Sequence, residues 1–259
     1  MRMKKFRRVK KGWEPVADWY VGYMGKEGGA FQRDIVFPGA ERLLRLKKGG
    51  TYLDIACGQG AFAKRLAKDG SRTIHGFDIS PSLITEAKKD APKNAHFRVA
   101  DATGFATHYP PSSFDGAACN LAIQNIDPME PVFADAARVL KPGAAFVLTM
   151  NHPAFRQPRQ SGWGWDEERK LQYRRVDKYM EPYEMPILAH PGSAPSVKTY
   201  SYHRPLSVFV TALAKHGFVV DAMEEWVSNK VSDSGPKAKA ENVARKEIPM
   251  FLAIRARKM

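Results

Sequence analysis

Leu53-Asp54-Ile55-Ala56-Cys57-Gly58-Gln59-Gly60-Ala61-Phe62-Ala63-Lys64-Arg65-Leu66-Ala67 is the stretch whose reading decides the fold. Thr51 to Ile55 is a short apolar, β-branched run and predicts a buried strand. Cys57 to Gly60 follows as a tight turn with two glycines. From Ala61 onward Phe62, Ala63, Leu66 and Ala67 recur at helical spacing on one side. The segment therefore reads strand, glycine turn, helix. Glycine permits positive φ and leaves no Cβ in the way of a ligand, and a helix start offers unpaired N–H groups at the same place. Asp54 puts a carboxylate inside the strand just before the turn. A buried carboxylate requires compensation, and a cationic amino group on a ligand supplies it.

Two cofactor families use such a turn. Gly58-Gln59-Gly60-Ala61-Phe62-Ala63 fits the dinucleotide pattern G-x-G-x-x-A. Leu53 to Gly60, with its acidic residue, resembles motif I of the class I S-adenosylmethionine-dependent methyltransferases, with Ala56 in place of the motif's first glycine. Both families use an acid at the end of the second strand. Arg72 to Asp78 is that strand, and Asp78, 18 residues after Gly60, suits a ribose. Ser80-Pro81 then reads as N-cap and first helical residue.

The next motifs separate the two families. His96 to Ala100 is the third strand. The methyltransferase resemblance gives the following Asp101 to the adenine amino group and the backbone beside Ala102 to the ring. Phe114 to Asn120 is the fourth strand and resembles motif IV, where the chain passes the sulfonium and the acceptor. Arg138-Val139-Leu140-Lys141-Pro142-Gly143, before a fifth strand at Phe146 to Met150, resembles the same group. The resemblance covers residues 51–150 and leaves the dinucleotide reading well behind. It implies S-adenosylmethionine as cofactor, held by Asp54, Ala56, Cys57, Gly58, Gly60, Asp78, Ile79, Asp101, Ala102, Asn120 and Leu121. It also implies an N-terminal aromatic lid over Trp13 to Tyr23, with Tyr20 and Tyr23 as candidates, and Gln32 near the methionine end. The expected fold is α/β: a Rossmann-like, doubly wound seven-stranded sheet. Phe218 to Ala222 and Met250 to Ile254 are its antiparallel C-terminal strand pair.

Residues 151–200 are too long for a simple connection and read as a cap inserted over the acceptor site. The expected organisation is a basic arm at 1–12 and a single domain at 13–259 carrying that cap. His152 and His203 each stand beside a proline at the expected mouth of the site. They are the candidate general bases, with Asn120 as a third catalytic candidate. Trp163 and Trp165 are placed to stack on a planar acceptor. Gln124 and Arg156 complete the substrate candidates. Each histidine can equally bond the loop backbone, and each tryptophan can equally pack the cap.

Composition bounds the function. The chain has 259 residues, 44% of them hydrophobic, enough to bury a core. No apolar run is long enough for a membrane span and no leader pattern is seen. Two cysteines without metal-ligand spacing fit a reducing cytoplasm and no metal. The net charge is +14, and residues 1–11 carry seven lysines and arginines, half of that excess. The basic arm and the basic segment from Ser228 to Glu247 favour RNA or another anionic acceptor, whereas the core resembles the broad group that includes quinone-biosynthesis and other small-molecule methyltransferases. No Asp/Asn-Pro-Pro-Tyr/Phe tetrad follows the fourth strand, and neither cysteine follows a proline. The charge tips this reading to an anionic acceptor, with RNA favoured. The alternatives are a small-molecule O-, N- or C-methyltransferase and a catalytically inactive RNA-binding module.

Overall fold

The computed structural model describes residues 12–188 and 198–259. The expected basic arm lies almost wholly outside the described residues. Seven strands form one sheet: β1 (Thr51–Ile55), β2 (Thr73–Asp78), β3 (Ala95–Val99), β4 (Phe114–Asn120), β5 (Leu140–Asn151), β10 (Phe218–Trp226) and β11 (Phe251–Lys258). Their order is β10-β11-β5-β4-β1-β2-β3. β1 through β5 run parallel, and β11 is antiparallel to both β5 and β10. The Rossmann-like sheet and its antiparallel C-terminal strands are as the motifs imply. β11 is inserted between β5 and β10, so β10 forms one edge of the sheet and β3 the other. The order reverses between β1 and β4, and open α/β sheets bind ligands at the carboxyl ends of the strands flanking such a point.

Helices α1 (Ala17–Met24), α2 (Phe37–Leu44), α3 (Ala61–Ala67), α4 (Pro81–Lys88), α5 (Glu130–Val139), α6 (Leu206–Lys215) and α7 (Ala238–Glu247) complete the described helical elements with short 3-10 turns and a π turn at Gln32–Val36. α3 buries Phe62, Ala63, Leu66 and Ala67, the face its spacing predicts. α4 starts as read, with Ser80 Oγ accepting from the Leu83 N–H at 3.1 Å. Two apolar clusters pack the two faces of the sheet. One is centred on Phe77, Phe105, Phe133 and Phe146, the other on Phe37, Tyr52, Phe62 and Phe97.

The last strands extend beyond their apolar runs because charged residues along them are paired. Arg255 is buried and donates to both oxygens of Asp221 at 2.7 and 3.1 Å, and Glu224 accepts two bonds from Arg42. β5 begins at Leu140 instead of Phe146. Leu140 pairs with Phe114, and the Lys-Pro-Gly step bulges before Ala145 rejoins Gly116.

The insertion holds two hairpins that sequence periodicity does not announce. β6 (Ser161–Asp166) pairs with β7 (Leu171–Val176), and β8 (Tyr183–Leu188) pairs with β9 (Lys198–His203). The Gly-Trp-Gly-Trp run of β6 has a steric reason. Gly164 faces Tyr173, and a Cβ at Gly164 would stand 2.3 Å from that ring. The second hairpin carries the insertion on to His203, past the expected limit at 200. The basic segment after β10 contains α7, which packs on β7.

Candidate active site

A cleft of about 960 Å³ opens at the carboxyl ends of β1 and β4. This is near the upper end of small-molecule sites, roughly 300–1,000 Å³. The turn after β1 forms its floor. Ala56, Gly58 and Gly60 all have positive φ (54°, 56° and 79°). At Gly60 a Cβ would meet Phe97 at 2.8 Å and Ala87 at 3.0 Å, so helix α3 can approach the sheet only with glycine there. At Gly58 a Cβ would meet only Tyr20, at 3.7 Å. Ala56 holds the left-handed conformation despite its methyl group, which costs about 1–2 kcal/mol relative to glycine.

Three carboxylates line the floor. Asp54 is 2% exposed and its Oδ2 is buried without a hydrogen-bond partner. Burial pushes its pKa up to about 8, opposed by the N–H of Ala63 and reinforced by Asp78. Asp78 is also buried and raised by burial, but three N–H groups stabilise its ionised form. Its Oδ2 accepts from Gly58 and its Oδ1 from Ser80, each at 3.0 Å. Asp101 is exposed, and its Oδ1 caps a turn through Thr103 N and Oγ1, both at 2.8 Å. Ile79 and Ala102 stand beside the last two acids in the lining. Cys57 also lines the cleft, but burial and the two acids push its thiol well up, so it is no nucleophile.

An orphaned buried carboxyl oxygen beside a glycine turn, with a second acid one strand away, fits a ligand that brings a cationic amino group and vicinal hydroxyls. S-adenosylmethionine carries both.

The N-terminal segment covers this floor. Tyr20, Trp13 and Gln32 line the cleft. Tyr20 sits over Gly58, edge-on to Trp13 at 5.3 Å, and hydrogen-bonds Gln32. Tyr23, the other lid candidate, is 72% exposed, stacks on Trp19 and is not in the lining. Two contacts that hold the lid escape sequence reasoning. Glu14 accepts from Ser80 Oγ, Ser82 N and Ser82 Oγ, and Gln59 Nε2 donates to the Gly25 carbonyl. Neither residue has a motif, and only the fold brings them to their partners.

The opposite wall comes from the end of β4. Asn120 Oδ1 accepts from Thr149 Oγ1 at 3.1 Å, and its Nδ2 is buried and unpartnered. Leu121 takes positive φ (52°) and donates its N–H to the Thr149 carbonyl at 2.9 Å. Gln124 Nε2 donates back to the Leu121 carbonyl, leaving its Oε1 buried and unpartnered. Asp127, Ile187, Ser201 and Tyr202, which no sequence motif marks, extend the lining.

The remaining candidates lie elsewhere. His152 and His203 are buried outside the cleft and line a smaller cavity behind it. His152 Nε2 is 2.7 Å from Glu225 Oε1, and its Nδ1 accepts from Ala154 and Phe155. His203 Nε2 donates to the Tyr179 carbonyl at 2.7 Å. Burial lowers the pKa of both. The expectation that they stand at the cleft mouth is corrected: both hold loops. Trp163 and Trp165 line neither cavity. Trp163 is held between the guanidiniums of Arg156 and Arg174, at 5.1 and 5.0 Å, and Lys237 lies over Trp165 at 4.6 Å. Both rings are instead packed against cationic side chains at the β6–β7 hairpin. Arg156 lines the smaller cavity. Among the described residues no group of His, Cys, Asp and Glu is placed to hold a metal ion, and no helix is long and apolar enough to cross a membrane.

The fold is the Rossmann-like one of methyltransferases, and comparison with known proteins agrees. Residues 53–148 match the family model described as a methyltransferase domain. A demethylmenaquinone methyltransferase of Tropheryma whipplei is 30% identical over 115 residues, 43% of this chain and 46% of that one. A 2-phytyl-1,4-naphtoquinone methyltransferase of Synechococcus elongatus is 35% identical over 113 residues, 41% of this chain and 48% of the relative. The chain thus spans about half the length of the curated relatives it matches. Among solved structures, an S-adenosylmethionine dependent methyltransferase of Mesorhizobium loti is 26% identical with a TM-score of 0.70, over 90% of this chain and all of that one. A phosphoethanolamine N-methyltransferase of Haemonchus contortus, solved with S-adenosyl-L-methionine, shares the fold at 19% identity and TM-score 0.58, over 94% of this chain and 56% of that one.

Proposed function

We propose that the protein transfers a methyl group from S-adenosylmethionine to a small-molecule acceptor. The observation that carries this reading is the single cleft joining two unlike walls. One holds Asp54, Asp78 and Asp101; the other holds Asn120 and Gln124 with unpartnered amide atoms. The bound cofactor would supply a methyl carbon already activated on a sulfonium.

The protein's own residues do the rest. Asp54, ionised, would hold the amino group, Asp78 the ribose hydroxyls and Asp101 the adenine amino group. Tyr20 and Trp13 exclude water from above. Asn120 Nδ2 donates to, and Gln124 Oε1 accepts from, the polar edge of the acceptor, which sets the line of attack. Alignment of this kind contributes up to about 7–11 kcal/mol. Among the described residues no histidine lines the cleft, so the reading needs an acceptor that is nucleophilic without a histidine base.

The earlier balance in favour of RNA is given up. It rests on the basic residues 1–11, outside the described residues, and on the basic segment at 228–247, whereas the relatives reported above carry the names of quinone methyltransferases. Their acceptors do not transfer automatically. The family match ends at residue 148, and the β8–β9 hairpin, which supplies Ile187, Ser201 and Tyr202 to the lining, follows it.

The test is methyl transfer from radiolabelled S-adenosylmethionine into a cell extract fractionated into RNA, protein and small molecules, with Asp78→Asn as control. Label in the small-molecule fraction, lost in the variant, is the expected result. Label in nuclease-sensitive material would restore RNA, and no label with cofactor binding intact would favour a binding module.

A further inference from the structure

Behind the acceptor wall lies a second cavity of about 30 Å³, room for about two water-sized groups. It shares Gln124, Asn151, Pro158, Ser201 and Tyr202 with the main cleft. Its far side is built by Arg156 and Gln157, after β5, and by Arg204, after β9. Gln157 is 3% exposed and Arg204 9%, and Gln157 Nε2 and Arg204 Nη1 are buried with no hydrogen-bond partner. An unpaired buried donor costs about 1–3 kcal/mol, more when charged. Both side chains are anchored from their other ends. Gln157 Oε1 accepts from Tyr183 OH at 2.6 Å, and Arg204 Nη2 donates to the Ile126 carbonyl at 3.0 Å and to Asp127 at 2.8 Å. The orphan donors are therefore fixed in place.

Charge gives a second, independent observation. Arg156 lines the cavity, and Arg174 shares the Trp163 ring with it. Arg245 also acts on Arg156 electrostatically, and burial with these two neighbours pulls the Arg156 pKa down to about 10. Among the described residues none of the three meets a carboxylate. Arg156 donates to the Pro249 carbonyl, Arg174 to the Phe155 carbonyl and Ser161 Oγ, and Arg245 to Ser232 Oγ. The nearby acids are engaged elsewhere: Asp127 with Arg204 and Glu225 with His152. Two guanidiniums on one ring and a third nearby, none meeting a carboxylate, stand beside two orphan donors and favour an anion.

We propose that this inner chamber binds a carboxylate of the acceptor. The substrate is then a small carboxylic acid that passes the Gln124 wall with its anionic end and leaves its reacting atom in the cleft. The small volume of the chamber suits a compact anionic group such as a carboxylate. The word acceptor rests on the methyltransferase reading; the carboxylate site does not.

The test uses the full chain saturated with S-adenosylhomocysteine at pH 7 and follows benzoate, with benzamide as its neutral isostere, by ligand-observed NMR. Benzoate is expected to bind at least about tenfold more tightly than benzamide, the worth of a charge-assisted bond. Arg156→Gln and Gln157→Leu each remove that preference, Arg156→Lys restores part of it, and S-adenosylhomocysteine affinity holds in all three. Equal binding of benzoate and benzamide, or no binding of either, overturns the proposal and leaves a chamber filled by water only. Benzoate preference without S-adenosylhomocysteine binding would instead sink the methyltransferase reading and keep the anion site.

Discussion

At the end of β1 the groups facing the cleft are backbone and short side chains. Ala56, Gly58 and Gly60 turn the chain through positive φ, and Asp54 and Asp78 lie within a residue or two of strand ends. At the opposite wall and in the smaller cavity behind it the lining groups are long side chains from distant elements: Gln124 after β4, Arg156 and Gln157 after β5, Arg204 after β9. The first region is specified by local geometry and leaves one orphan carboxyl oxygen, on Asp54. The second is specified by tertiary packing and leaves orphan amide and guanidinium atoms. The difference teaches that the floor is a fixed receptor for one ligand, whereas the far wall is where specificity can change without disturbing the sheet.

The contrast breaks first at Gly60. Gly60→Ala forces a Cβ against Phe97 in a left-handed conformation, and overpacking plus backbone strain together should destabilise by about 2–5 kcal/mol in urea unfolding. No single change in the acceptor chamber should approach that. Next, Asp78→Asn should weaken S-adenosylhomocysteine binding by about 10–100-fold in calorimetry, the worth of a hydrogen bond to a charged group. Gln124→Leu should leave that affinity within about twofold while lowering kcat/KM by about tenfold. A shared loss in both variants would mean that the two walls are one unit.

Asp54 sharpens the comparison through pH. Its folded pKa, about 8, lies above the ordinary carboxylate value. Between these values the folded state holds a proton that the unfolded chain has lost, so this group's contribution to stability falls as pH rises from about 4 to 8. Thermal unfolding of the ligand-free protein across that range checks the sign. Binding a cationic amino group should release this proton at pH 7, so the calorimetric enthalpy of S-adenosylmethionine binding should vary with the ionisation enthalpy of the buffer. The smallest effect is at Ala56. Ala56→Gly relieves the left-handed methyl but frees the unfolded chain, so stability should rise by no more than about 1 kcal/mol.

What sequence could and could not show follows the same division. The sheet and the glycine turn are legible because each depends on residues adjacent in the chain. Strand, turn and cap chemistry are local, as at Ser80-Pro81. The hairpins β6–β7 and β8–β9 were not legible, because their strands alternate glycine, tryptophan and charge without a simple apolar face. His152 beside Pro153 looks like a mouth residue until Glu225, 73 positions away, takes its Nε2. Trp163 looks like a stacking platform until two arginines flank it. Glu14 and Gln59 carry no pattern, since only folding brings them to Ser80 and Gly25.

The most direct test of the central claim is a calorimetric titration of the full chain with S-adenosylmethionine and, separately, with NAD, repeated on Asp78→Asn. The floor described here should bind one S-adenosylmethionine per chain, ignore NAD and lose most of its affinity in the variant. Binding of NAD instead, or S-adenosylmethionine binding indifferent to Asp78, would contradict it.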